Sequence, residues 1–545
     1  MDFKQHLRFV SNVRKSPRLL PHIIVVVAVL IYALIEIQHF TPAYQEVDPD
    51  GYLFLAKRIA RLQSPAVQDD DPFMYQTHQW VETPSGKVIS KFSPGYPLLM
   101  AIAYRIGGDE AMFVVSPLMG GLTLIGAYLL FQLWMSPLVA ALGIWALAVN
   151  PMFDIYSGYL LTHASNVCAV TWGMYFLWKW VRGGTGKSGV WAGLLLGLAV
   201  TIRHTSALMS IVVLIAAIKR WRQTPLGARS LSFRKPIGVL LGCYAIFPVL
   251  LAIYNWAIFG NPLITGYSLT QEQDAFSFEH LRRNMVTMVS GLNTTALLLI
   301  FPIGFAGMLT TDDVWERLMR LFWFLPTALL YTAYYWAPSG MPYVRFMICT
   351  FPVIVGSAFL LIERASPPSY WRAAGIAVFI VFLVYLRYGE TQNGMRHVVS
   401  DPGSRTTAAA GRMLAQTLQP NAVIFSQRPF FCYIGTRQSF RHYDLRIFNA
   451  LDNYRVRRQP SREKRLREMY KSLGQTGLID KKRELVQSFL AQSRQVVYLI
   501  PQDGVDREQE HLGEAVKLTL LKKWEVQTGS KPAEWGVYVV RKIEN

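Results

Sequence analysis

LLPHIIVVVAVLIYALIEI, residues 19–37, decides the class of fold. As a helix, a run of about 19 apolar residues covers roughly 30 Å, the hydrocarbon thickness of a bilayer. It is longer than a signal-peptide core, and no small-residue cleavage site follows it, so it reads as an uncleaved span. Composition agrees. The chain has 545 residues, 52% of them hydrophobic and 17% charged, with a mean hydropathy of +0.23. Soluble domains carry about 25% charged residues.

Working outward, further apolar runs cover roughly 111–134, 137–156, 158–181, 190–203, 204–219, 237–259, 287–310, 320–337, 344–363 and 371–388. With the first, the expectation is an α-helical polytopic membrane protein of about eleven transmembrane helices. The formal net charge is +20, but the basic residues collect in short loops rather than on a nucleic-acid-binding face. With a cytoplasmic N-terminus, the inside segments hold Lys4, Arg8, Arg14, Lys15 and Arg18, then Arg182 and Lys187. Next come Lys219, Arg220, Arg222, Arg229, Arg234 and Lys235, and finally Arg317, Arg320, Arg364 and Arg372. That bias fixes the expected orientation.

Three segments then fall outside: 42–110, 260–286 and the chain after about 389. The last has strand-like runs AVIFS, QVVYLIP and WGVYVVRK around a charged helical stretch, the pattern of a small α/β domain. Expected domains are therefore a transmembrane domain over 1–388, containing the 42–110 loop, and a soluble α/β domain over 389–545. The basic helix of that second domain reads as a solvated face, with lipid headgroups as the less favoured contact. Cys168, Cys243 and Cys349 lie in apolar runs and Cys432 stands alone, so neither a disulfide framework nor a zinc site is expected. No Walker-type loop or internal repeat is present, which excludes cytosolic nucleotide chemistry and ATP-driven transport by this chain alone.

After the first span comes EVDPDGYLFLAKRIARLQ, residues 46–63. Tyr52, Leu55, Ala56 and Ile59 share one helical face, with Lys57, Arg58 and Arg61 largely on the other. Asp50 reads equally as a helix N-cap, whereas Asp48 lies too early for that cap. Farther on, GKVISKFSPGYPLLMAI, residues 86–102, reads as a hairpin ending at Lys91, a Pro-Gly turn and an apolar half-helix.

The order Asp48, Tyr52, Ala56, Lys57 and then KFSPGYPLL resembles the first outer loop of the GT-C membrane glycosyltransferases. The branch it resembles includes protein O-mannosyltransferases and lipid A aminoarabinose transferases. NPMFDIYSGYLLTHASN, GLLLGLAVTIRHTSALM with Arg203, NWAIFGNPLITGYS, and MPYVRFMICTFPVIV with Phe346 in the aromatic place resemble further elements of that family, in its order. Two departures stand out. The residue after the first aspartate is Pro49, with the second acid moved to Asp50, and Thr162-His163 replaces an acidic residue common at the outer turn. Both put in question how Asp48, Asp50 and His163 share acid–base work.

The resemblance implies transfer of a sugar from a polyprenyl-phosphate donor to a glycan, lipid or protein acceptor on the outer side of a bacterial inner membrane. A phosphate ester leaves readily, so the reaction needs a carboxylate to take the acceptor's proton and fixed cations for the departing phosphate. The resemblance gives Asp48 as the base, with Asp50 beside it, and Lys57, Lys91, Arg203 and Arg345 as phosphate ligands. Tyr52, His163, Tyr267 and Tyr343 are possible linings. Against this, either arginine would serve merely by snorkelling to the interface, and Tyr267 and Tyr343 by belonging to an interfacial aromatic belt. No cofactor or obligatory metal is expected, membrane lipid is an expected partner, and nucleic acid is not. The alternative, a lipid-linked sugar flippase, fits less well, because transporters place charges near the midplane in two related halves.

Overall fold

The structure is a computed structural model, and it describes residues 19–43, 48–68, 71, 73, 80–223, 231–310, 313–338, 340–365, 370–419, 421–426, 441–449, 460–528 and 531–543. Cys432, Arg229 and the basic residues before Leu19 lie outside these. The chain forms two compact units. One comprises Met1–Phe40, Ser116–Leu251 and Asp274–Val398; the other comprises Thr41–Val115, Ala252–Gln273 and Val399–Asn545. The 42–110 loop, much of the second expected outer segment and the C-terminal α/β region therefore fold together.

The apolar runs all become helical, but they are not equivalent. Six helices among the described residues are long and apolar enough to cross a membrane: Leu19–His39, Gly95–Gln132, His204–Arg222, Lys235–Phe259, Met341–Ala365 and Ala374–Val399. Two more runs are bent pairs, Pro137–Ala148 with Pro151–Gly158 (63°) and Phe278–Ala296 with Ile300–Leu309 (114°), which raises the number to eight if each pair is one span. At the first bend Asn150 caps the second helix, its side chain accepting from the Phe153 N–H at 3.1 Å, and Pro151 takes the first helical position. The remaining runs give His163–Val181, the 17-residue Gly186–Ile202, and Val314–Thr332, which carries Glu316, Arg317 and Arg320. The sequence count of about eleven thus meets, among the described residues, six helices long and apolar enough to span, two bent pairs and three helices that are short or less apolar.

Arg320 was expected in an inside loop. It is instead buried within Val314–Thr332, 3.4 Å from Glu316 and over the Trp134 ring at 4.5 Å. Arg182 also meets Glu316 at 2.8 Å, and Lys219 meets Asp313 at 2.6 Å. These pairs compensate charges that burial alone would make costly.

The other unit has two sheets. In the small antiparallel one, strand β1 (Val67–Gln68) pairs with β3 (Lys87–Ser90), which pairs with β2 (Trp80–Glu82). The larger sheet uses β4 (Val423–Ser426), β5 (Arg441–Asp444), β6 (Val496–Pro501), β7 (Val516–Thr528) and β8 (Lys531–Lys542), in the order β5-β4-β6-β8-β7. The β5, β4 and β6 strands are parallel, and β8 and β7 antiparallel. Strand alternation sorts Val423, Phe425 and Tyr498 to the face covered by helix Pro460–Ala491, and Ile424, Val497 and Leu499 to the face covered by Pro402–Thr417. The three strand-like runs read from sequence are β4, β6 and β8. The basic helix is not wholly a solvated face: Lys482 is fully buried and bonded to Glu508 at 2.7 Å. Arg465 reaches Glu82 at 2.9 Å, Tyr443 donates its hydroxyl to Asp71, and Phe73 stacks on Phe448 at 5.6 Å.

Candidate active site

The acidic loop belongs to the strand-bearing unit. Its helix, Asp48–Ala60, carries both aspartates in the first turn, where carboxylates favour the positive end of the helix dipole. Asp50 therefore lies inside the helix and not at the N-cap position expected for it. Asp48 is half-buried, whereas Asp50 is buried. Tyr52 stacks on Phe92 at 4.1 Å and meets Tyr96 edge-on at 5.3 Å. The expected solvated basic face is absent at Lys57, which is 5% exposed and paired with Asp109. Burial pushes its ammonium below the usual lysine range, against the opposing pull of Asp109.

Lys91 ends the hairpin as the sequence suggests, and helix Gly95–Gln132 follows the Pro-Gly turn, breaking at Gly107 and Gly108. Its ammonium is paired with Glu272 at 2.5 Å and lies 5.1 Å from the Tyr267 ring. The two chain segments meet so closely that a Cβ on Gly266 would sit 2.3 Å from Lys91 Cα. The glycine of ITGYS is required by that approach.

The arginine cluster belongs to the helical unit. Arg203 stands in extended conformation where helix Gly186–Ile202 gives way to a 3₁₀ turn, His204–Leu208. Arg345 opens another 3₁₀ turn, Arg345–Thr350. Both breaks turn a guanidinium out of a regular helix wall. Arg203 donates to Thr162 Oγ1 at 3.1 Å and Tyr331 Oη at 2.8 Å, and it lies 3.4 Å from His163 Nδ1. Both guanidiniums lie near the Phe346 ring, 5.5 Å from its centroid for Arg203 and 5.3 Å for Arg345, and the Tyr331 ring stacks on it at 4.7 Å. Arg345 also lies over Trp336 at 5.4 Å and Tyr156 at 5.9 Å. Its Nε is buried without a hydrogen-bond partner among the described residues.

The departure at Thr162-His163 acquires a physical meaning here, since both residues contact Arg203, at 3.1 Å and 3.4 Å. Tyr343, in contrast, is fully buried and donates to the Tyr331 carbonyl at 2.9 Å, so it braces the cluster rather than lining a cavity. Tyr331 and Trp336 were missed from sequence, because their part comes from a helix end remote in the chain. Among the described residues no group of three or more His, Cys, Asp or Glu is arranged to hold a metal ion.

A helical unit with broken spans and arginines set at helix breaks, together with a unit built from an acidic first loop and an α/β sheet, gives the chain a fold similar to that of solved membrane glycosyltransferases. A family model described as dolichyl-phosphate-mannose-protein mannosyltransferase matches residues 91–254. The fold is similar to the crystal structure of ArnT from Cupriavidus metallidurans bound to undecaprenyl phosphate, with a TM-score of 0.56 and 11% identity over 94% of this chain and 97% of that one. It is also similar to the arabinofuranosyltransferase AftD from Mycobacteria, with a TM-score of 0.51 and 12% identity over 96% of this chain and 40% of that one. A third similarity is to the Archaeoglobus fulgidus oligosaccharyltransferase tethered to an acceptor peptide, with a TM-score of 0.50, 12% identity and coverage of 90% and 70%. Comparison with curated protein sequences finds no match.

Proposed function

We propose that the protein is a membrane glycosyltransferase that moves a sugar from a polyprenyl-phosphate donor to an envelope acceptor, with inversion at the anomeric carbon. The observation that carries this reading is the pair of guanidiniums around Phe346, with neutral hydrogen-bond partners described for Arg203 and a buried, unsatisfied Nε on Arg345. Such an arrangement favours an anion with several oxygens, and arginine's planar fork suits phosphate.

In this reading the acceptor hydroxyl attacks the anomeric carbon as the bond to the lipid phosphate breaks. Asp48 takes the hydroxyl proton, and Arg203 and Arg345 stabilise the charge growing on the phosphate. Lys57 and Lys91 keep their proposed role as phosphate ligands, each starting from an ion pair with Asp109 or Glu272. A lysine ammonium has three N–H donors, so each pair leaves capacity for a second acceptor. Asp50 supports the acidic turn. Tyr52, Tyr267 and His163 line the substrate path, and no resident metal has a part in the scheme.

The orientation proposed has a cytoplasmic N-terminus, about eleven crossings and a periplasmic α/β region. It is supported by the folding together of segments that the charge bias assigns to one side. The undecaprenyl phosphate bound to ArnT supports a lipid-linked donor of that kind. A direct test is release of polyprenyl phosphate from a radiolabelled polyprenyl-phosphate sugar by the purified protein. Donor that stays intact while crossing proteoliposome membranes would replace the transferase with the flippase.

A further inference from the structure

Helix Leu19–His39 and the short helix Pro151–Gly158 place two carboxyl groups inside the helical unit. Glu36 is 4% exposed and Asp154 is 0% exposed. Neither oxygen of Asp154 has a hydrogen-bond partner among the described residues, and Glu36 Oε1 has none either. The two helices pack together there: the Tyr32 ring, one turn before Glu36, lies 5.9 Å from that of Phe153, the neighbour of Asp154, and the Tyr32 hydroxyl and Ser157 both border Gly120. That hydroxyl donates to the Pro117 carbonyl at 2.9 Å.

The surrounding space is filled. A Cβ on Gly120 would lie 2.0 Å from Tyr32 Oη and 2.7 Å from Ser157 Oγ, so the helices are closely packed at this point. The other titratable or charged groups on the elements packed around the pair have their own partners. His39 is bonded to Gln392 at 2.8 Å, and Arg387 to Glu390 and to the carbonyls of Thr295 and Ala296. His163 and Arg345 belong to the cluster around Phe346. Two carboxylates so placed pay a desolvation cost that no neighbouring cation offsets, and each raises the cost of ionising the other.

We propose that Glu36 and Asp154 form a proton-binding site within the helical unit, in which each buried carboxyl group holds its own proton. The site reports to the arginine cluster through the helix that carries Asp154. Two residues on, Tyr156 faces Arg345 at 5.9 Å and His163 at 5.4 Å. Loss of these protons places two negative charges between Leu19–His39 and Pro151–Gly158, and their repulsion moves the eight-residue helix that sets Tyr156. Glu36 and Asp154 are thus positioning residues. The coupling to turnover rests on the transferase reading; the proton site itself does not.

Infrared spectroscopy of the full chain in lipid nanodiscs tests the site, because protonated carboxyl and carboxylate C=O bands are well separated. Wild type at about pH 8, far above the range of free carboxyls, is expected to show a protonated-carboxyl band that Glu36→Gln/Asp154→Asn lacks. If the double variant does not fold, Asp154→Asn alone reads the same band, now from an isolated Glu36 that loses its proton at lower pH than the last proton of the wild-type pair. Identical spectra for wild type and variant overturn the proposal. So does a wild-type band abolished by sodium or calcium ions, which would make this a metal-cation site. If the site is present, turnover of wild type falls at least fivefold on its deprotonation, and Asp154→Asn flattens that limb. An intact infrared signal with an unchanged pH–rate profile removes the coupling, while absence of any turnover sinks the transferase reading and leaves the proton site standing.

Discussion

The four cations expected to serve a phosphate are held in two different ways. In the acidic-loop unit, Lys57 and Lys91 are almost wholly buried, and each is paired with a carboxylate, Asp109 or Glu272. In the helical unit, Arg203 and Arg345 lie beside one phenyl ring, and the hydrogen-bond partners described for Arg203 are two hydroxyl groups and an imidazole nitrogen. A lysine whose carboxylate partner is already in place acts first as a strut between chain segments. An arginine among aromatic faces keeps its charge at a desolvation cost moderated by the ring quadrupoles. The difference teaches that the sign of a residue does not fix its task; the groups around it do.

The comparison breaks most decisively at the base. Asp48→Asn is expected to lower turnover by at least about 100-fold, the lower range for loss of a general base, with thermal stability unchanged. Wild-type turnover in that variant would move the role to Asp50. Next in size are the arginines. Arg345→Ala should lose at least about tenfold in kcat, roughly 1.4 kcal/mol, with a smaller change in KM because the phosphate charge grows in the transition state. Arg345→Lys should retain part of the activity, and Arg203 should behave likewise. Unchanged turnover per folded molecule at both positions would reduce the arginines to interface anchors.

The lysines sharpen the contrast from the other side. Lys57→Met leaves the Asp109 carboxylate buried, and a thermal melt should show a loss of about 3 kcal/mol. Lys57→Met/Asp109→Asn should recover most of it. A variant that melts like wild type but turns over slowly would put Lys57 among the phosphate ligands and erase the distinction. A further effect lies in the α/β sheet. Burial, followed by the nearby Arg446, pushes the His442 imidazole down to about 3, against about 6.5 in an unfolded chain. Protons therefore bind the unfolded state preferentially. The stability is whole above about pH 6.5 and falls as the pH drops toward 3, by up to about 1.4 kcal/mol per pH unit. Hydrogen exchange of β4 and β5 between about pH 7 and pH 5 should show this slope, and His442→Gln should remove it.

Much of this was legible in the chain. Apolar runs announce helices because each must hide its backbone in hydrocarbon, and the hairpin before Pro94-Gly95 follows from turn chemistry. Strands β4, β6 and β8 show as β-branched and aromatic runs. Strand β5 did not, because RHYD is polar and becomes a strand only by pairing with β4. Nor did the partners: Asp109 and Glu272 claim their lysines across 52 and 181 residues, distances at which no spacing rule operates. The Thr162-His163 substitution was visible as a departure, but its effect on Arg203 needed coordinates.

The tie between Asp71 and Tyr443 joins residues 372 positions apart, and this sets an order of events during synthesis. At about 5–20 residues per second, the first loop waits roughly 20–70 s before its binding partner is made. Through that interval it has helices on either side but no sheet to dock on. Its folding is thus a matter of completion from the far end of the chain, and until β5 arrives the loop is a client for whatever chaperones and proteases share its compartment.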